Sequence, residues 1–440
     1  MSRAQHNPDH LTILGALHAH GLCSARELQA ATGKSQATVS RLLVDLADQV
    51  LALGQGRARC YGLGQAIRGL SAQQPIYLVD ESGRYVQQGQ LSMLQGHTLH
   101  TTLAGHSWTT RNTLPWVLTP LRAQGFLGRL LAQRLQALDM PSDPERWPLP
   151  AVLYAALHTH DAPGAIVLGE PSSVPPAPRL PDASAQPDAL SAELDRRSAD
   201  VASTLPAGSS AGGEQPKFLA QLADGSHVLV KFTPPRGTPF GERWHDLLLA
   251  EALALRTLQA HGLPGADTWL VHSPTRTYLL SRRFDRVGPL GRRHAVAIGA
   301  VHEGLLTDTY QHWADSGQQL ASRKQLSRAD AAQIETALHF GRLIGNTDMH
   351  SGNLSLFIEP GSLSRPRFTL APIYDMLPMR WRPDAAFGAP DYGTFDLHPL
   401  SLQSAARPMA HAYWRAMADD TRFSSKLRDC AAAMADGTSS

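Results

Sequence analysis

An α+β protein of several domains is what this sequence predicts, on three observations. Helix-spaced apolar runs at the front end in a strand–turn–strand; a proline-dense stretch divides the chain; behind it, short apolar strands give way to helical patterns. With 42% apolar side chains among 440 residues, the chain can fill two or three cores. The expected division is residues 1–70, 75–170, a connector at 171–204, a strand-rich unit at 205–286 and a helical unit at 287–430.

At the front, residues 11–20 carry apolar side chains at helical spacing, with Gly21 as the stop. Ser24 followed by Glu27 is a capping box that opens a second helix. Gly33-Lys34 makes a tight turn, and Ser35 caps a third helix at 36–46 with Val39, Leu42, Leu43 and Leu46 on its buried face. Residues 50–62 then read as strand, turn and strand, with the tip at 54–57. That order is the one of a winged helix-turn-helix, which presents the helix after the turn to the DNA major groove. Gln36, Thr38, Ser40 and Arg41 would reach bases or phosphates, and Arg57 and Arg59 the flanking backbone. Over residues 1–70, seven Lys and Arg less four acids leave a surplus of three positives, mild support for DNA. A three-helix protein-interaction module is the competing reading.

Residues 76–89 look like a hairpin turning at Ser82-Gly83, within a mixed α/β segment that runs to 169. Six prolines between 171 and 187 forbid a helix or central strand there, so this stretch is read as a partly extended surface connector.

The back half carries the chemistry. Asp348, His350 and Asn353 form a D-x-H-x-x-N cluster after a helix-like apolar run, and a lone acid, Asp375, follows between two short apolar segments. Phosphoryl transfer needs such groups: one carboxylate to take the proton of the attacking hydroxyl, and an amide and a carboxylate to hold magnesium on the nucleotide phosphates. Magnesium takes oxygen ligands and seldom more than one or two carboxylates from protein, so Asn353 with Asp375 suffices. His350 inside the cluster is expected to brace the loop rather than take the proton. A loop of hydrogen-bonding polar residues is the alternative. Upstream, residues 209–217 form a glycine-bearing turn (Ser210, Ala211, Gly212, Gly213, Gln215, Lys217) whose backbone could approach an anion. It matches neither a Walker A nor a G-x-G-x-x-G motif. Lys231 sits in the apolar strand 227–232 and must find a partner, because an unpaired buried ammonium is costly. Glu251, in the helix-like stretch 244–256, is the best candidate, with Glu242 competing. The strand 278–286, with Ser281, Arg282 and Arg283, would form the hinge against an adenine.

Taken together these segments resemble the HipA family of bacterial serine/threonine protein kinases, toxins of a toxin–antitoxin type. The matching residues are 210–217, the strand around Lys231, Arg283-Phe284-Asp285-Arg286, the run 345–353, and Tyr374-Asp375. The resemblance spans roughly residues 76 to 414 and implies a bilobal kinase-like fold, ATP with Mg2+, and transfer to a protein serine or threonine. It implies that Asp348 is the base, that Asn353 and Asp375 bind the metal, and that Ser210 is a site of inhibitory autophosphorylation. Three departures bear on substrate and rate: Glu214 in the glycine turn, Gly352 where a lysine is common, and no acidic signature over 292–299. Family members usually take DNA binding from a separate small antitoxin, whereas here the resemblance implies a fused head, as in a subclass with its own winged helix. An antitoxin and a homodimer on palindromic DNA are partners the sequence leaves open. A transcription factor with a non-transferring ATP-sensing fold, or a small-molecule kinase, are the competing functions.

Composition narrows the rest. No apolar run reaches membrane-span length, and residues 1–8 lack a signal-peptide core. Cys23, Cys60 and Cys430 are few, odd in number and far apart, which fits a reducing cytoplasm and argues against a zinc site. The histidine pairs His18/His20, His97/His100 and His158/His160 lack accompanying acids at ligand spacing and are assigned to surface and loops. The net charge of +2 says little about partners.

Overall fold

The helical spacing at the front resolves into α1 (Pro8–His20), β1 (Leu22–Ser24), α2 (Ala25–Thr32), α3 (Gln36–Asp45), β2 (Val50–Leu53) and β3 (Cys60–Leu63). The computed structural model describes residues 8–54, 56, 59–159, 161–171, 178–204, 215–384 and 386–439. The three strands pair antiparallel in the order β1-β3-β2. Ser24 Oγ accepts the Glu27 N–H while the Glu27 carboxylate accepts the Ser24 N–H at 2.6 Å, so the capping box forms as expected. Val39, Leu42, Leu43 and Leu46 are buried with Ile13, Leu17 and Leu28 in a core of their own.

Residues beyond this head form a five-stranded sheet from β4 (Gln73–Val79), β5 (Tyr85–Leu94), β6 (Thr98–Leu103), β7 (His106–Arg111) and β8 (Ile166–Leu168), in the order β7-β6-β5-β4-β8. The turn between β4 and β5 is where the sequence places it. Asp80 Oδ1 accepts the N–H groups of Ser82 and Arg84, and Gly83 adopts φ 85°. Helices α4 (Gly125–Leu135) and α5 (Leu149–Leu157) pack their apolar faces into the main core.

Next come α6 (Pro187–Thr204), β9 (Lys217–Gln221), β10 (His227–Phe232), α7 (Pro239–Ala260), β11 (Thr268–His272) and β12 (Thr277–Arg282). The strands form one antiparallel sheet, β11-β12-β10-β9. Period-2 alternation gives this sheet two different faces. Val228, Val230, Phe232, Tyr278 and Leu280 pack against Leu190 and Leu194 of α6. Leu279, from the other face, packs against Leu248 and Ala252 of α7. The part of the expected connector after Pro187 is therefore helix, not extended chain. Proline is tolerated at its start, Leu190 and Leu194 lie four apart on one face, and Asp195 accepts hydroxyl hydrogens from Ser273, Thr275 and Tyr278.

The remaining unit contains β13 (Arg286–Val287), β14 (Gly291–Arg292), β15 (Ala295–Ala297), α8 (Ile298–Leu305), α9 (Trp313–Ser322), α10 (Arg328–Leu343), β16 (Ser355–Ile358), β17 (Phe368–Leu370), α11 (Pro399–Leu402), α12 (Arg407–Asp419) and α13 (Ser425–Thr438). The sequence marks residues 431–440 as a frayed tail, and the structure corrects this. Cys430, Ala431, Met434 and Ala435, at helical spacing, bury the end of α13 in the core shared with α12. Among the described residues no helix is long and apolar enough to cross a membrane.

Candidate active site

Lys231, the last residue but one of β10, lies on the α7 face of the sheet, because it pairs across β12 with Leu279 and across β9 with Lys217. Directly opposite residues share a face, so two ammonium groups project to the same side. The side chain of Lys231 is 6% exposed, and its Nζ donates to both carboxylate oxygens of Glu251 at 2.6 and 2.7 Å. It donates also to Asp375 Oδ1. Glu242 takes no part: it accepts the Gly237 N–H and approaches Arg236 near the start of α7. Burial works against the Lys231 charge, but Asp375 and Glu251 outweigh it and hold the ammonium protonated far above its usual range. Burial pushes the carboxyl of Asp375 up, yet Lys231 and then Lys217 pull it down to a net depression. Burial, with Asp375 beside it, pushes the Glu251 carboxyl up against the pull of Lys231, so the two acids share one cation unequally.

Asp375 adopts φ 52°, a left-handed conformation that aspartate tolerates better than most side chains. Asn346 ties it to Asp348. The Asn346 carboxamide nitrogen donates to the Asp375 carbonyl at 3.2 Å, and its oxygen accepts the Asp348 N–H at 3.0 Å. Asn353 Nδ2 donates to the Asp348 carbonyl at 2.7 Å, which leaves its Oδ1 as the end able to meet a cation. His350 braces the loop as expected, its Nδ1 accepting the Gly352 N–H at 3.0 Å and its carbonyl accepting Trp313 Nε1–H at 2.9 Å. Tyr374 Oη donates to the Gly352 carbonyl at 2.8 Å. Trp313, Asn346 and Tyr374 received no role from sequence reasoning. All three donate to backbone carbonyls, which side-chain spacing does not record, and only the position of Asn346 two residues before Asp348 was a usable signal.

The helix carrying Glu251 is anchored a second time. Asp246, 3% exposed, accepts Tyr392 Oη–H at 2.7 Å and both the N–H and the hydroxyl hydrogen of Ser424, the cap of α13, at 2.9 and 2.5 Å.

The other candidates divide. Ser281 lies opposite Leu229 and so shares the Lys231 face. Arg282 does not: it pairs with Val228, points to the α6 face over the Trp269 ring, and bonds Asp267, so its side chain is corrected out of the nucleotide set. The guanidinium of Arg283 is likewise committed, to Asp161 and Asp285. Gln215 Nε2 donates to the Phe232 carbonyl at 2.6 Å, while its Oε1 is buried without a partner. Ser210, Ala211, Gly212 and Gly213 lie outside the described residues, as do Arg57 and His160. In the head, Gln36, Ser40, Arg41 and Arg59 are exposed, whereas Thr38 is half-buried with its hydroxyl on Ser35 Oγ at 3.1 Å. Among the described residues no three His, Cys, Asp or Glu side chains converge on a closed metal site. Asn353 Oδ1 and the Asp375 carboxylate, one oxygen of which already accepts from Lys231, are oxygen donors of the type magnesium takes.

Residues 209–440 match the family described as HipA-like C-terminal domain, and residues 70–174 match the YjjJ-like toxin, middle domain. Toxin YjjJ of Escherichia coli (strain K12) is 36% identical over 436 residues, covering 93% of this chain and 94% of that protein. Among solved structures, a chain of the Shewanella oneidensis MR-1 toxin–antitoxin complex of HipA, HipB and operator DNA superposes with a TM-score of 0.55. That match has 17% identity and covers 83% of this chain and 95% of the other, so it speaks to fold alone.

Proposed function

The chain belongs to the HipA-like toxin family, and from that premise we propose that it is a serine/threonine protein kinase toxin using ATP and magnesium, with residues 1–70 as its own DNA-binding winged helix-turn-helix. The observation that carries the reading is the convergence of Lys231, Glu251 and Asp375 beside the loop holding Asp348 and Asn353. Lys231 and Lys217 supply positive charge for nucleotide phosphates on one face of the sheet, and Ser281 shares that face. Magnesium, held by Asn353 and Asp375, would neutralise charge on the phosphates. Asp348 orients the attacking Ser or Thr hydroxyl and takes its proton as the new O–P bond forms and the bond to the ADP leaving group breaks.

Self-regulation enters twice in this proposal. Exposed Gln36, Ser40 and Arg41 on α3 would face the groove, with Arg59 on the flanking backbone, letting the protein act on DNA without a separate DNA-binding partner. Phosphate on Ser210 would place negative charge beside the nucleotide phosphates and repel them. The Shewanella complex contains both HipB and operator DNA, and a DNA context for this chain is inferred by analogy.

Incubation of the protein with labelled ATP, magnesium and cell extract tests the reading. Label should pass to protein serine or threonine with the native chain and not with Asp348→Asn. Nucleotide binding with no transfer by either would point instead to an ATP-sensing regulator.

A further inference from the structure

The segment Arg283-Phe284-Asp285-Arg286 is in no way spent by the hinge role, and its side chains part in two directions. Three of them go to the loop 161–165 that precedes β8. Arg283 and Arg286 both reach Asp161 Oδ1, at 2.6 and 2.8 Å, and both hold Asp285 Oδ2, at 2.9 and 2.7 Å. Asp285 Oδ2 also accepts the Gly164 N–H at 2.8 Å, and Arg286 donates to the carbonyls of Ala162 and Gly164. Two arginines and two aspartates balance, so the cluster can be buried. The fit is close as well: a Cβ on Gly164, at φ +81°, would stand 2.7 Å from His294 Nδ1.

The fourth side chain goes the other way. The Phe284 ring stacks on Tyr374 at 5.6 Å between centroids and meets Phe357 edge-on at 5.8 Å. Tyr374 in turn donates to the Gly352 carbonyl, shares its hydroxyl with Ser355 at 2.9 Å, and precedes Asp375 in the chain. Four consecutive residues therefore have the loop 161–165 on one side and, on the other, the tyrosine that holds the loop of Asp348 and Asn353.

We propose that this segment couples the middle domain to the catalytic loop, with Phe284 and Tyr374 as positioning residues and Asp161 as the point at which the middle domain acts. The kinase-like unit is then not self-sufficient: the ion cluster sets the backbone of 283–286, which seats Phe284, which fixes Tyr374 and so the Gly352 carbonyl. This inference deepens the kinase reading and rests on it for its consequence, though not for its test.

Hydrogen exchange on the whole chain without nucleotide decides it. Asp161→Asn, an isosteric change outside the site, should raise exchange over 350–354 by roughly tenfold, as should Phe284→Leu and Tyr374→Phe. Glu81→Gln, which touches Arg293 at the same domain boundary, should leave that loop at the native rate. Coupling is reciprocal, so Phe284→Leu, which spares every ion pair, should also loosen the Gly164 and Ala165 amides. That arm remains decisive should Asp161→Asn disturb the whole middle sheet. Native exchange at 164–165 in Phe284→Leu, or at 350–354 in an otherwise folded Asp161→Asn, overturns the proposal. A native chain that binds no ATP would sink the kinase reading and leave this outcome standing. If ATP does bind, Asp161→Asn should weaken its magnesium-dependent affinity while Glu81→Gln does not.

Discussion

Replacing Glu251 with alanine leaves the Lys231 ammonium, 6% exposed, with Asp375 as its remaining hydrogen-bonded acid. Two charge-assisted hydrogen bonds disappear, each contributing about 1.5–3 kcal/mol. Breaking a buried pair by deleting one partner costs about 3–5 kcal/mol when the survivor is left uncompensated. Asp375 stays, so the lower end applies, about 3 kcal/mol. For a cooperative unit of 150–250 residues each kcal/mol moves the midpoint by about 2–4 °C, so the melting transition should fall by about 6–12 °C. Differential scanning calorimetry on the full chain measures this, with Glu242→Ala as control. That glutamate is half-exposed and should contribute about 1 kcal/mol or less. If Glu251→Ala and Glu242→Ala melt within about 1 °C of each other, the buried ion pair does not carry the stability assigned to it.

Four further outcomes are expected. Asp375→Asn should abolish magnesium-dependent nucleotide binding, whereas Asp348→Asn should keep it; equal loss in fluorescence titrations of both would void the division of roles. Burial holds His294 neutral, its pKa down at about 4, where its Nδ1 accepts the Ala165 N–H. Between that value and the usual 6.5 the unfolded chain binds the extra proton, so stability is full above pH 6.5 and declines toward pH 4, by at most about 1.4 kcal/mol per unit. Melting midpoints across that range should slope less in His294→Gln, and an identical slope refutes the assignment. Arg41→Ala should change the DNA sequence preference, and Arg59→Ala should weaken all sequences alike and flatten the salt dependence by about one unit; unchanged DNA retention after removal of residues 1–70 rejects the head. Protein incubated with ATP and magnesium should carry phosphate on Ser210, with Ser209 the neighbouring alternative, and mass spectrometry finding none on either serine, in enzyme that labels another target, removes that mode of shut-off.

What could be read from the sequence was what local physics dictates. A lysine among apolar strand residues requires an acid, and Glu251 was the best candidate, with Glu242 competing. Ser24 with Glu27 announced a helix start, and the four buried apolar residues of α3 followed from periodicity. Contacts across long separations were beyond such reasoning. Asp161 meets Arg283 and Arg286 from more than a hundred residues away, and nothing near Asp161 marks it as a counter-ion. The prolines at 171–187 hid α6, because their veto on helix ends where the last of them becomes its first residue. The end of α13 read as a tail because alanine is weakly apolar, although Ala431 and Ala435 are fully buried. The lysine contact of Asp375 was also missed, since one ammonium serving two acids is a matter of depth rather than of spacing.

The double anchoring of α7 limits how this molecule can be controlled. Asp246 and Glu251 lie five residues apart on one rigid rod, about 7.5 Å along its axis. Swinging the rod far enough to withdraw Glu251 from Lys231 would tear Asp246 from Tyr392 and from the start of α13. The helix is thus a strut between the sheet that carries Lys231 and the start of α13, and not a lever. Control of such a site has to act on the loops around the ion pair, while the pair itself stays formed throughout.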